Sequence, residues 1–334
     1  MESRDEEAEA WLKCDGCGRR YPVRKGIPRF VSPVGTAPHD EVAAQFLTEF
    51  TELSHGDRDI DPLLLREYYF FSRTGFDPQL YEALPGDPYR TSLPEDAYRP
   101  DGRVLKGKTV LDAGCGPARF TEVAALHGPR LVIGLDLGDH IERAAERCAH
   151  LPNTAFVQGS VLDPPFKPEV FDTVFSIGVL HHTGDPRGGT RALSTLVAPG
   201  GLMSLWLYPN EYWGRGPQRP IGRFIHKMVS KRDPRAALSF CRRWLYPIGK
   251  MQMAVHRHRF LRYVLAPLFV IKVPRHPVPE VMLATIFDYY GPTFISTHDP
   301  AELATWLQQD GFNEIRTLPV QSSVKGRKCS VRRD

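Results

Sequence analysis

Between residues 105 and 208, short apolar runs alternate with stretches whose apolar positions recur every three or four residues. Thr109–Ala113, Leu131–Leu135, Ala155–Gln158, Phe171–Ile177 and Leu202–Leu207 read as buried strands. Arg119–His127, His140–Ala149 and Arg191–Val197 read as helices, the first closed by Gly128 and the last by Pro199-Gly200-Gly201. This alternation predicts an α/β fold whose mostly parallel sheet is covered on both faces.

Outside that stretch the pattern changes. Trp11–Val31 predicts a small β-rich knuckle, with strands around Tyr21–Val23 and Ile27–Phe30, and Ser32–His39 reads as a linker. Asp40–Phe70 carries a helical pattern, and 71–107 is a loop-like lead-in dense in Pro, Asp and Gly. From Pro209 to about Tyr290 the chain reads as helical. A helix start follows, with Asp299 as N-cap, Pro300 first, Glu302 as reciprocal capping acid and Gly311 as stop. Ile315–Val320 and Arg327–Arg332 would close the sheet. The expected divisions are 1–35 (knuckle), 36–104 (lead-in), 105–208 (α/β core), 209–292 (helical cap insertion) and 293–334 (completion of the core).

Composition adds the compartment. Hydrophobic residues make up 42% and charged residues 25% of the 334, as in an ordinary globular protein. No apolar run spans a bilayer, the acidic start lacks the order of a secretion signal, and six scattered Cys suit free thiols. The expected location is cytoplasmic. Charge is uneven: fifteen Arg and Lys face three acids between Pro209 and Glu280, so most of the basic character is in the insertion.

Candidate chemistry centres on Val110-Leu-Asp-Ala-Gly-Cys-Gly-Pro-Ala-Arg-Phe120, at a strand-to-helix turn. Gly114 and Gly116 permit a tight turn and close approach of a ligand, and the helix that follows would supply oriented N–H groups. A dinucleotide site uses a similar turn, but its third Gly would fall at Arg119. Asp112, just before the turn, would repel a pyrophosphate and suit a ligand carrying an ammonium and a sulfonium. Asp136, about 20 residues on, ends the second strand, where an acid accepts ribose hydroxyls; dinucleotide sites share that feature. Charge favours S-adenosylmethionine over a nicotinamide cofactor.

Val110–Phe120, Asp136, Phe156-Val-Gln-Gly-Ser160 and Phe171–His182 resemble, in order and spacing, the motifs of class I S-adenosylmethionine-dependent methyltransferases of the broad type 11 branch. The resemblance implies a Rossmann-like sheet of seven strands and methyl transfer to a small or amphiphilic acceptor bound between core and cap. It places Asp112 by the methionine amino end, Gly114, Cys115 and Gly116 beneath the cofactor, and Asp136 with Leu137 at the ribose. Gly159, Ser160 and Val161 would border adenine, and the backbone near Ile177 the methionine moiety. Two departures stand out. Ala118 replaces a common third Gly, a mild change by size, and Ser160 replaces an Asp that often faces adenine; Ser160 is equally readable as a plain loop residue.

Methyl transfer is an in-line displacement that needs positioning more than acid–base help. His181 and His182, at the carboxyl lip of the fourth strand, read either as a general base or as a wall of the donor pocket. Tyr290, with Tyr289, would roof the acceptor or pack as core. Asp163-Pro-Pro-Phe166 echoes an amino-methylating signature, but it follows the third strand and reads as a turn. Leu12–Pro28 looks like half of a Trm112-type zinc ribbon. Its Cys14 and Cys17 supply two of the four ligands structural zinc needs, so no metal is expected unless a partner or distant residues complete the set. The basic insertion admits several readings: a solvated cap, a grip for an anionic acceptor, contact of Leu265–Val273 with a membrane surface, or RNA binding by an RNA-modifying enzyme. A non-catalytic S-adenosylmethionine-binding protein would keep both acids without turnover. Oligomeric state is not read from the sequence.

Overall fold

A computed structural model of the chain describes residues 9–31, 105–274, 279–317 and 322–330. The helical pattern of 40–70, most of the lead-in and the last residues of the expected final strand fall outside these.

In chain order, β1 (Ala10–Lys13), β2 (Arg20–Arg24) and β3 (Ile27–Pro28) form a small antiparallel sheet. Then come β4 (Thr109–Ala113), α1 (Arg119–Leu126), β5 (Leu131–Asp136), α2 (Ile141–Arg147), β6 (Thr154–Gln158), β7 (Phe171–Ile177), α3 (Pro186–Thr195) and β8 (Val197–Trp206). The helices α4 (Gln218–Val229), α5 (Pro234–Phe240), α6 (Tyr246–Arg257), α7 (Arg259–Leu265) and α8 (Pro279–Tyr290) follow. The described chain closes with α9 (Pro300–Gln309), β9 (Phe312–Thr317) and β10 (Ser323–Lys328). It divides into two compact units: residues 209–274 and 279–297 make the helical one, and the remaining described residues make the α/β one.

The α/β unit has a seven-stranded sheet in the order β6-β5-β4-β7-β8-β10-β9. The first five strands are parallel, and β10 runs antiparallel to both neighbours. Strand alternation divides the apolar residues between two faces. Leu111, Ala113, Val174 and Leu205 pack with Leu193 of α3 and Leu303 and Leu307 of α9. Val110, Val132, Phe175 and Ile177 pack with Ala124 and Ala125 of α1. The fold is therefore the doubly wound, Rossmann-like arrangement expected.

Four local expectations shift. The helix expected at Arg191 begins at Pro186, where Asp185 caps it by accepting from the Gly188 N–H at 2.8 Å; Gly188 and Gly189 hid that first turn from a propensity reading. The Pro199-Gly200-Gly201 stop lies inside β8. An irregularity in its pairing with β7 absorbs the proline, and Gly200 takes φ 76°. The closing strands lie about three residues earlier than expected. Asp299 caps α9 by accepting from Glu302 N–H at 2.9 Å, but the Glu302 carboxylate turns to His298 Nδ1 at 3.0 Å instead of closing a reciprocal box.

The small N-terminal sheet is fastened to the outer edge of the large one. Arg29 forms a parallel bridge with Gln158, and Phe30 N–H donates to the Gln158 carbonyl at 2.7 Å. Ile27 is buried with Ile141, Ala144 and Phe156. This segment is a lateral extension of the sheet edge. Among the described residues no group of His, Cys, Asp and Glu is arranged to hold a metal ion. Cys14 and Cys17 are hydrogen-bonded neighbours; amide and thiol bonds from Cys17 pull the Cys14 thiol below its ordinary range.

Candidate active site

The carboxyl ends of β4 and β5 bring the main candidates together. Gly114 leaves β4 at φ 86°, where a Cβ would lie 2.3 Å from the Val179 side chain, so both conformation and space demand glycine. Its N–H and that of Cys115 donate to the Leu135 carbonyl at 2.7 and 3.0 Å. The Gly116 N–H donates to Asp136 Oδ2 at 2.8 Å, and the Ala118 N–H to the Cys115 carbonyl at 2.9 Å. These amides thus bind the turn to itself and to β5, where the sequence suggested N–H groups aimed at a ligand. A pyrophosphate would have to displace those bonds.

Ala118 adopts φ 64° and ψ 24° just before α1. The left-handed region costs an alanine about 1 kcal/mol relative to glycine. Backbone angle, more than side-chain size, is therefore what the missing third glycine alters, and the fully buried Ala118 methyl offsets part of the strain by packing. Cys115 points its thiol into the same cluster, and burial holds that thiol well above its ordinary pKa. The thiol also donates weakly to the Gly116 carbonyl at 3.7 Å.

Asp112 is 1% exposed and accepts from the Thr121 hydroxyl at 2.6 Å. Burial pushes its carboxyl up to about 7; the Thr121 bonds oppose the shift and the Asp136 charge adds to it. The sequence reading treats Asp112 as a fixed anion, whereas in the fold it titrates near neutrality. Asp136 behaves oppositely. Burial alone would raise its pKa, but the His140 ring and the N–H groups of Gly138 and Gly116 outweigh burial and hold it below the carboxylate range. Gly138 N–H reaches Oδ1 at 3.1 Å, and His140 Nε2 lies 3.1 Å from the same oxygen. Oδ1 is already engaged by both groups, whereas Oδ2, held by Gly116 N–H alone, keeps a lone pair for a hydroxyl.

The loop after β5 is tied from outside. Gln158 Nε2 donates to the Leu137 carbonyl and to Asp139 Oδ1, both at 3.0 Å. Gln158 Oε1 accepts from Arg29 Nη1 at 3.0 Å, and Arg29 Nη2 donates to Glu142 at 2.7 Å. A buried arginine of the N-terminal segment therefore braces the loop that carries Asp136 and Leu137. Sequence reasoning missed Arg29, Thr121, His140 and Val179. His140 had a signal, four residues after Asp136; the others are made neighbours only by the fold.

The remaining candidates spread out. Gly159 N–H donates to the Asp136 carbonyl at 2.8 Å, beside the pair of acids. Ser160 Oγ accepts from Leu162 N–H at 3.1 Å, a local turn bond that fits the plain-loop reading. The side chains of Val161 and Ile177 lie in the core, leaving their backbones to meet a ligand. His181 is fully buried, stacked on Tyr208 at 3.6 Å between ring centroids, and its Nδ1 accepts from Tyr208 N–H at 3.2 Å. Burial and the nearby His182 and His298 rings keep it well below the usual imidazole range. A buried imidazole with Nδ1 so engaged is not an accessible base, and the His182 ring, 3% exposed, packs 4.2 Å away between ring centroids. For Tyr290, read as a roof on the acceptor or as core, the surroundings are those of the core. It lies in the helical unit, fully buried, donating its hydroxyl to the Lys272 carbonyl, and burial raises its phenol. It is core packing.

Residues 111–205, from β4 to β8, match the family described as methyltransferase domain. The chain is 34% identical over 131 residues to an uncharacterized protein of Synechococcus sp., covering 37% of this chain and 31% of that one. It is 32% identical over 108 residues to a ubiquinone biosynthesis O-methyltransferase of Neisseria meningitidis, covering 31% and 45%. A tRNA U34 carboxymethyltransferase of Ruthia magnifica is 34% identical over 110 residues, covering 32% and 34%. The chain thus spans less than half the length of these relatives. It carries a methyltransferase domain, and S-adenosylmethionine is the cofactor such a domain takes.

The brace generates a test. Arg29→Lys keeps the charge but loses the two-pronged grip on Gln158 and Glu142. S-adenosylhomocysteine affinity, read by calorimetry, is expected to fall about tenfold, the scale of one lost charge-assisted hydrogen bond, with the fold retained. Unchanged affinity would mean that the N-terminal sheet does not position the loop.

Proposed function

We propose that the whole chain is an S-adenosylmethionine-dependent methyltransferase whose acceptor is a small or amphiphilic molecule. The observation that carries this reading is the pair of acids around the glycine turn, Asp112 poised to ionise and Asp136 held ionised. Bound S-adenosylmethionine supplies a methyl group already activated by a sulfonium. Asp112 accepts the methionine ammonium and thereby loses its own proton. Asp136 accepts a ribose hydroxyl on Oδ2 while its contacts to Gly116, Gly138 and His140 hold it in register. Gly114 and Gly116 give the cofactor room against backbone, Gly159–Val161 border the base, and the wall of His181, His182 and Tyr208 excludes water from the methyl group. No residue is assigned as a general base. As part of the same reading, 105–208 is the cofactor core, completed by 293–334, and 209–292 is the insertion.

An aliphatic or aromatic acceptor is favoured over RNA by the exposed apolar side chains of the basic helices, considered below. The tRNA named for one relative belongs to that protein. The two possibilities separate in one assay: label from methyl-labelled S-adenosylmethionine, added to a cell extract, should enter organic-extractable small molecules. Label found only in RNA would overturn the acceptor class.

The cofactor assignment predicts a pH dependence. The ligand's cation favours ionised Asp112, so binding expels a proton wherever Asp112 is still protonated. Affinity for S-adenosylhomocysteine is therefore expected to rise with pH from about 5 to about 7 and then level off, and Asp112→Asn should abolish that slope. The same raised pKa makes the unliganded fold lose stability as pH rises from about 4 through 7, because the buried carboxyl must ionise. Calorimetric titrations across this range check both; a flat profile in the parent protein would contradict the role given to Asp112.

A further inference from the structure

The helical unit presents apolar side chains to solvent beside rows of cations. Along the continuous helical stretch from Cys241 through α6, Cys241, Leu245, Gly249 and Gln252 are buried. On the outward side Trp244, Pro247, Met251 and Ala254 are exposed, at spacings of three and four residues. Trp244 is 57% and Met251 51% exposed. Next to that stripe Arg243, Lys250 and Arg257 recur every seven residues, all exposed. The neighbouring α7 and its extension add Phe260, Tyr263, Val264 and Leu268, with Phe260 77% exposed. No Asp or Glu occurs between Asp233 and Glu280, while nine Arg and Lys do.

We propose that this outward face of the helical unit is a docking surface for an anionic lipid bilayer. Large apolar groups left in water forgo burial free energy in proportion to their area, and singly scattered examples need no explanation. Here they form stripes along two successive helices, and the first stripe runs beside the row of Arg243, Lys250 and Arg257. Phosphate groups alone, as on RNA, would satisfy the arginines but offer nothing to Met251, Val264 or Leu268. A second copy of the chain would cover the apolar stripe but oppose like charges. The headgroup region of an anionic bilayer takes both: aromatic and aliphatic groups enter the acyl boundary while Arg and Lys remain among the phosphates. The mode is attachment to one leaflet, since among the described residues no helix is long and apolar enough to cross a membrane. The face extends to residues before the Leu265–Val273 segment singled out from sequence, whose Val273 is buried.

The test is sedimentation of the full chain with vesicles of phosphatidylcholine, alone or mixed equally with phosphatidylglycerol. The parent protein is expected to sediment with the anionic vesicles, to weaken as salt rises, and to keep part of its binding at high salt. Arg243→Gln/Lys250→Gln/Arg257→Gln should lose on the order of a hundredfold on anionic vesicles. Trp244→Ser/Phe260→Ser/Leu268→Ser should lose the salt-resistant part, and Phe260→Ser alone should lose about tenfold of affinity, which keeps the test valid if the triple variant does not fold. Failure of the parent protein to bind anionic vesicles at low salt would overturn the proposal. So would tight, steeply salt-dependent binding to single-stranded RNA with none to vesicles.

Discussion

Asp136 sits where the second strand of the sheet ends, and its carboxylate organises the turn opposite. One oxygen holds the Gly116 N–H; the other takes the Gly138 N–H and faces His140. Hydrogen bonds to a charged group each contribute roughly 1.5–3 kcal/mol, enough to keep the acid ionised against its burial. Through the Gly116 bond this side chain ties the turn after β4 to the end of β5, the edge at which open α/β sheets bind ligands. Loss of that carboxylate would release both the glycine turn and the loop that carries Leu137.

The two acids of the site then differ in kind. Asp136 is charged at all ordinary pH values because donors surround it. Asp112, deeper and with Thr121 as its hydrogen-bonding partner, stays near neutrality and is available to respond to a cation. Splitting a carboxylate pair in this way lets one member hold structure while, in the proposed reading, the other answers the ligand's cation. The network extends outward through Gln158 to Arg29, so the N-terminal segment serves, in this fold, as a brace on the loop that carries Asp136 and Leu137.

Much of this was legible from the sequence, and for identifiable reasons. The five parallel strands, the Asp299 cap and the placement of Asp112, Gly114, Gly116 and Asp136 follow from local periodicity and from turn chemistry that depends on neighbours in sequence. What escaped depends on contacts between distant residues. Val179 makes Gly114 obligatory, Thr121 and burial alter Asp112, and Tyr208 turns His181 into a wall. A sequence read alone leaves a histidine at a sheet edge open between base and wall, and Tyr290 between roof and core, because burial and a hydroxyl's partner are properties of the fold. Pro199-Gly200-Gly201 looked like a helix stop because an irregular strand absorbs a proline only when its neighbour is known. The shift at Ala118 is of the same kind: its identity is local, but its positive φ is not.

Everything else rests on a pocket edge that is anionic and whose turn amides are already engaged, a combination that admits a cation and turns away a pyrophosphate. Calorimetry of the purified chain with S-adenosylhomocysteine and, separately, with NADH tests this most directly. Saturable heat from the first and none from the second is the predicted result. Tight NADH binding with no response to S-adenosylhomocysteine would contradict it.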